Sequence, residues 1–99
     1  MDSDLKDNWF KLSLPEQMVN IGNEVKRAVR FDESIEKRRP FIEKAIQYNE
    51  LSIRDPKNSS CRPELEIGSM MLRDYIGNHY LNCTKEQIRD YYLSFTNLL

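Results

Sequence analysis

"SLPEQMVNIGNEVKRAV", residues 13–29, is the stretch from which the fold class can be read. Ser13 stands three residues before Glu16, with Pro15 between them. The serine hydroxyl can accept from the Glu16 N–H while the carboxylate reaches back to the Ser13 N–H, and proline is tolerated in a first helical turn. Behind that capping box Met18, Ile21, Val25, Ala28 and Val29 recur at three and four, which at roughly 100° per residue confines them to an arc of about 120°. The spacing predicts a helix over residues 14–31 with one buried stripe. Gly22 inside it costs about 1 kcal/mol relative to alanine, and its place beside the apolar seam predicts the close approach of another helix. Glu24 and Arg27 are spaced for an ion pair.

The same period continues outward in both directions. Before Ser13, residues 1–12 read as a frayed lead ending in an apolar anchor of Trp9, Phe10 and Leu12, with Leu14 beside it. After it, Pro40 in "FDESIEKRRPF" restricts Arg39, so a second helix begins either at Pro40 or, kinked, at Ser34. Ile42, Ala45, Ile46 and Ile53 are its core, with Ile35 in phase if the earlier start holds. "DPKNSS" reads as a turn. A third helix opens at "CRPELE" with Pro63 in its first turn and is expected to close at Gly77. Leu65, Ile67, Met71, Leu72, Tyr75 and Ile76 cover about 180° of its circumference, and Met70 widens the arc. A fourth opens at "TKEQ", with Thr84 as cap and Gln87 reaching back, and carries Ile88, Tyr91, Tyr92, Phe95, Leu98 and Leu99 on one stripe. Connections this short set neighbouring helices antiparallel. The expected architecture is all-α: an up-down-up-down four-helix bundle over residues 13–99.

The totals agree with one small domain. A chain of 99 residues buries about 60% of the surface its unfolded form exposes. Fifteen basic and sixteen acidic side chains leave a formal charge of -1, so no global field draws the chain to a polyanion or an acidic membrane. "MDSDLKDNWF" is acidic where an export signal is basic and then apolar, which points to a cytoplasmic protein. Cys61 and Cys83 flank a helix of about 14 residues and roughly 21 Å, too long for a disulfide to span, and two thiols with one histidine make no zinc site. No Glu-x-x-His pair, Gly-rich phosphate loop or Cys/His nucleophile is present, so neither metal nor cofactor is expected.

Three constellations remain. Lys26, Arg27, Arg30, Lys37, Arg38, Arg39 and Lys44 gather around the first helix junction with Phe31 and Phe41 among them. Arg30, Arg38 and Arg39 could contact a phosphate backbone there, whereas the interleaved Asp32, Glu33, Glu36 and Glu43 favour a solvated charged face. Met70, Met71 and Tyr75 on the broad apolar helix form the best candidate contact surface, since methionine adapts to irregular partners and tyrosine gives contact area at low entropy cost. Last, "RDYIGNHY", residues 73–80, sets Arg73 and Asp74 ahead of the only histidine, His79.

That last pattern resembles the motif of the HEPN ribonucleases, an arginine followed by a polar residue and, after a short spacer, a histidine. The resemblance implies metal-independent RNA cleavage between two protomers, with His79 as general acid or base and Arg73 on the phosphate. The plainer reading makes Arg73 a solvated helix residue, Gly77 a helix end and His79 a loop residue. A second likeness covers most of the chain. "NIGNEVKRA" at 20–28, "RDP" at 54–56 and "LRDYIGNHY" at 72–80 resemble a group of short uncharacterised bacterial helical proteins with an N-I-G-x-E-V-x-R-A run. It implies a helical fold and a bacterial or mobile-element origin, and no activity. The expected function is a non-enzymatic protein-binding or regulatory module that docks an apolar helix face on a protein partner or a second copy. A HEPN-like ribonuclease or RNA-binding descendant is the alternative, and RNA is a partner only there.

Overall fold

The computed structural model describes residues 3–78 and 85–94. These form five α-helices: α1 (Ser3–Phe10), α2 (Leu14–Val29), α3 (Ile35–Arg54), α4 (Arg62–Arg73) and α5 (Lys85–Leu93). A 3-10 helix, Pro56–Cys61, joins α3 to α4, and a π-helical turn, Asp74–Asn78, extends α4. No strand occurs among the described residues. Helix α3 packs on α2 and α4, α5 closes against α2 and α4, and α1 lies on α3. The core is formed by Met18, Ile21, Val25, Ala28, Ile42, Ala45, Leu65, Leu72, Ile88 and Tyr92, with Trp9, Leu51 and Tyr75 at its margins.

The capping box that opens α2 forms as expected: the Glu16 N–H donates to Ser13 Oγ at 3.3 Å and the Ser13 N–H to Glu16 Oε1 at 2.9 Å. Ser13→Ala is therefore expected to cost about 1 kcal/mol of unfolding free energy, read as a lower urea midpoint with an unchanged slope. The Glu24–Arg27 pair is made at 2.6 Å. A Cβ placed on Gly22 would lie 3.6 Å from Tyr92 Cβ, so α5 is the helix that approaches there.

The described residues hold five α-helices where four were expected, because the lead segment contains one. Leu5 and Trp9 are four apart on one face of it, with Leu12 following in the turn beyond, a helical spacing that the acidic composition conceals. Eight residues alone would not hold a helix in water. Trp9 supplies the anchor: its ring stacks on Tyr48 with centroids 4.6 Å apart, and its Nε1–H donates to Ser52 Oγ at 2.9 Å.

Helix α3 takes the earlier start, with Ser34 accepting from the Lys37 N–H. Pro40 lies within it; Pro40 and Glu36 are both exposed, so water can serve the carbonyl the proline cannot. Ile35, expected in the core, is instead 46% exposed. The buried stripe runs Arg38, Ile42, Ala45, Asn49 and Ser52 at steps of four and three, and three of its five members are polar. "DPKNSS" forms the 3-10 helix with Asp55 as its cap, accepting from the Lys57 N–H at 3.2 Å. Thr84, Phe95, Leu98 and Leu99, assigned to the last helix from its pattern, lie outside the described residues.

Candidate functional site

Helix α4 is turned in an unusual sense. Its buried residues are Leu65, Gly68, Ser69 and Leu72, whereas Ile67 and Met70 are 51% and 57% exposed. At roughly 100° per residue the buried set centres on one side of the wheel, and Pro63, Ile67 and Met70 fall together on the opposite side. Gly68 and Ser69 thus face inward between Leu65 and Leu72, while Ile67 and Met70 face outward. Tyrosines of α5 hold the helix in this orientation. A Cβ on Gly68 would stand 2.8 Å from Tyr92 Oη and 3.0 Å from Tyr91 Cε1, so only glycine leaves them room. Burial and the nearby Glu64 charge push the Tyr91 phenol up to about 12, and burial, with Tyr91 beside it, raises Tyr92 well above its ordinary value. Both are neutral donors in water of ordinary pH, Tyr91 to the Glu64 carbonyl and Tyr92 to Asn49 Oδ1 at 3.3 Å.

On the α3 side, Ser69 Oγ and an Arg73 guanidinium nitrogen donate to the same Glu50 oxygen at 2.8 and 2.9 Å. Asn49 Nδ2 donates to the Leu65 carbonyl at 2.8 Å. The orientation of α4 is thus fixed by polar contacts on one flank and ring packing on the other. Of its apolar arc, Leu65 and Leu72 are in the core, and Ile67 and Met70 are left outside.

Of the three residues expected to form a contact surface, Met70 is on the outward face and Met71 is half-buried at its edge. Tyr75 is not on the surface at all: it is 2% exposed, its hydroxyl donates to an Asp32 carboxylate oxygen, and the Arg38 guanidinium lies 4.7 Å from its ring centroid. Ile67, counted in the broad apolar arc but not in the candidate contact surface, takes its place outside. The period identified the right helix but not its rotation.

The "RDYIGN" stretch is tied into the fold at three points. Arg73 pairs with Glu50, Tyr75 with Asp32, and Asp74 is 4% exposed. The helix does not close at Gly77. Regular α-helical pitch ends at Arg73, and the π turn carries the chain through to Asn78. His79, the other half of the ribonuclease motif, lies outside the described residues, as does Cys83; Cys61 is a half-buried free thiol.

The basic junction divides. Arg30 and Arg39 are exposed, but Arg38 is 5% exposed and donates to the Asp32 carbonyl at 2.5 Å. Its phase on the buried stripe of α3 draws it in, and the carbonyl and the Tyr75 ring replace part of its hydration. Arg38 is therefore no phosphate contact. Beside it a surface cleft of about 290 Å³ is lined by residues 29–34 and Lys37. Arg30 and Lys37 there face Asp32 and Glu33 in equal number, a balance that favours no ion of either sign.

The densest chemistry in the molecule is a closed polar cluster where α1, α2, α3 and the 3-10 helix meet. Gln17 Nε2 donates to Asp55 Oδ2 at 2.9 Å and to the Trp9 and Leu12 carbonyls at 3.1 and 3.3 Å. Its Oε1 accepts from Ser52 Oγ and Asn58 Nδ2, both at 2.9 Å. Asn58 also donates to the Ser52 carbonyl at 2.9 Å, and Lys57 Nζ bridges Asp55 to the Phe10 carbonyl. Gln17, Ser52, Asp55 and Asn58 are all at most 3% exposed. Every polar group has a partner inside the protein, which is the mark of a structural staple rather than a substrate site.

Two carboxylates in these networks make stability depend on acid. Burial alone would raise the Asp55 carboxyl, but hydrogen bonds from Lys57 and Gln17 with the Lys57 charge outweigh it and hold the group below 3.8. Burial likewise opposes, and Arg73 and Ser69 overcome, in holding Glu50 below 4.5. A lowered folded-state pKa contributes stability above the unfolded value and loses it as pH falls through the folded one. The melting temperature is expected to be level from about pH 7 to about pH 5 and to drop below about pH 4. Asp55→Asn should flatten that acid limb, which thermal melts across a pH series would read.

No group of three or more metal-ligating side chains comes together among the described residues, and no helix there is long and apolar enough to cross a membrane. No family model, curated protein or solved structure matches the chain.

Proposed function

We propose that this chain is a non-enzymatic protein-binding module of a regulatory kind, and that the outward face of α4 is its docking surface. One observation carries the reading: α4 buries Gly68 and Ser69 while exposing Ile67 and Met70. A helix in a monomer with no further role is expected to bury its largest apolar side chains and expose its small and polar ones. The remainder of the bundle is read as the scaffold for that face. The order of neighbours, α2 with α3, α3 with α4 and α5 with both α2 and α4, supports an antiparallel four-helix arrangement with α1 as an added strap. The bacterial or mobile-element origin implied by the resemblance is compatible with a small regulator of this kind. The ribonuclease alternative has no comparable support among the described residues, which include Arg73 and not His79.

If Ile67 and Met70 serve a partner and not the fold, replacing both with serine leaves monomer stability within about 0.5 kcal/mol of the parent, as surface substitutions do. Equilibrium urea unfolding checks this; a loss of about 2 kcal/mol would make the face part of the core and defeat the reading. The binding half is tested with a photo-crosslinking residue in place of Met70, in cells that produce the protein. An adduct that vanishes with Ile67→Ser and does not form from the same crosslinker at the exposed Lys26 position supports docking through α4. No such adduct, with itself or another protein, removes it.

A further inference from the structure

The occupant of the α4 face can be argued further, on the premise that the face is a docking surface. The outward strip is short. Ile67 and Met70 are its two large exposed members, with Pro63 at one end, and Glu66 and Arg73, both exposed, share one flank. Glu66 and Arg73 are seven residues apart, about two turns or 10 Å along the axis, and therefore lie on nearly the same side of the helix. One sits near each end of the strip, with opposite sign.

That distribution is self-complementary. When a second α4 is laid antiparallel on the first, about a two-fold axis passing between residues 69 and 70, every Glu66 comes opposite an Arg73 of the other copy. The two Met70 side chains meet near the axis, and each Ile67 packs beside the opposing Met70. A parallel copy would instead carry the two charged flanks to opposite sides of the seam and leave them unpaired. We infer that the α4 face binds a second copy of this chain, antiparallel, through an apolar centre of Ile67 and Met70 flanked by two Glu66–Arg73 pairs. Isologous two-fold contacts of this kind are the commonest route to a homodimer. Arg73 already donates to Glu50 with its side chain 57% exposed, and a guanidinium has donors enough to serve a second carboxylate. A single-helix contact is at the small end of the range for specific interfaces, so the dimer is expected to be weak and in rapid exchange, with a dissociation constant on the order of 10–100 µM.

Sedimentation velocity over a concentration series of the full chain tests this directly. The expected result is a concentration-dependent dimer weakened by added salt and weakened at least tenfold by Glu66→Arg, by Arg73→Glu and, independently of charge, by Met70→Asp. An equimolar mixture of the Glu66→Arg and Arg73→Glu chains should regain the dimer, since the two carry complementary reversals. Circular dichroism verifies that each variant is folded. Should Arg73→Glu fail because Glu50 loses its partner, Met70→Asp and Glu66→Arg still decide the matter. A monomer at every concentration up to about ten times the expected dissociation constant overturns the inference. So does a dimer indifferent to Glu66→Arg and Met70→Asp. Either result, together with a crosslink to another protein from position 70 that depends on Ile67, would sink the second copy alone; with no crosslink, the docking face falls as well.

Discussion

Gln17→Ala is expected to lower the free energy of unfolding by about 3–4 kcal/mol, the largest effect of any single substitution considered for this chain. The side chain is fully buried and serves five partners: two backbone carbonyls of the lead segment, an Asp55 oxygen, the Ser52 hydroxyl and an Asn58 N–H. Removing it does not affect them equally. Asp55 keeps Lys57, Asn58 keeps one bond to the Ser52 carbonyl, and Ser52 Oγ still receives the Trp9 indole N–H. The Ser52 O–H and one Asn58 N–H lose their bonds to Gln17 in a site closed to solvent, and the half-buried Leu12 carbonyl loses its bond at the edge of that site. Each orphaned group costs about 1–3 kcal/mol, and the vacated volume adds to the sum. For a domain this size the melting temperature should fall by about 15–25 °C. Because Gln17 ties Trp9 and Leu12 to α2, amide exchange in α1 should quicken beyond what global destabilisation explains. A loss below about 1 kcal/mol would mean that water replaces the amide without penalty, and that the cluster is not the staple its bond inventory indicates.

Gly68→Val is the second, at about 3 kcal/mol of destabilisation. Its Cβ would enter space held by Tyr92 Oη at 2.8 Å and Tyr91 Cε1 at 3.0 Å, and the two branching methyl groups need still more. Neither ring yields easily. Tyr92 is 1% exposed and bonded to Asn49, and Tyr91 stands edge-on to it with centroids 5.0 Å apart and bonded to the Glu64 carbonyl. Overpacking of a tight contact costs about 1–3 kcal/mol, and the β-branched residue gains little helix propensity to offset it. The matched control is Gly22→Ala, where the nearest side-chain atom is 3.6 Å away. There the contact is ordinary and the helix gains up to about 1 kcal/mol, so the variant should equal or exceed the parent. Urea unfolding of the pair separates a glycine that makes room for two tyrosines from one that merely lies near a neighbour. Equal effects at both positions would refute the packing account of α4's orientation.

Much of the fold follows from local rules that a sequence displays openly. The capping box at Ser13 and Glu16, the stripe of Met18, Ile21, Val25 and Ala28, the Glu24–Arg27 pair and the helix after Pro63 depend on residues within a turn or two of one another. Their outcome needs no distant partner. Helix α1 was written in the same way, as Leu5 and Trp9, but an eight-residue helix acquires its stability only from Tyr48 and Ser52, some forty residues on, and acidic composition pointed elsewhere.

The polar interior was not legible. Gln17, Arg38, Asn49, Ser52 and Asn58 are residues that sequence reasoning sends to the surface, because the cost of burying an amide or a guanidinium is local, whereas the bonds that offset it come from elsewhere. The stripe of Arg38, Ile42, Ala45, Asn49 and Ser52 has perfect helical phase, but that phase is visible only to a reader who already knows that polar residues belong on it. Only the tertiary structure could provide Asp32 and Tyr75 for Arg38, Leu65 and Tyr92 for Asn49, and Gln17 for Ser52. The same holds for the candidate site. The sequence by itself determined that α4 carries more apolar surface than one buried face requires. Which part of it would remain outside was decided by tyrosines of α5 pressing on Gly68 and by Glu50 of α3 holding Ser69 and Arg73, since an apolar arc wider than one buried face leaves a helix's rotation about its own axis to be set by its neighbours on both flanks.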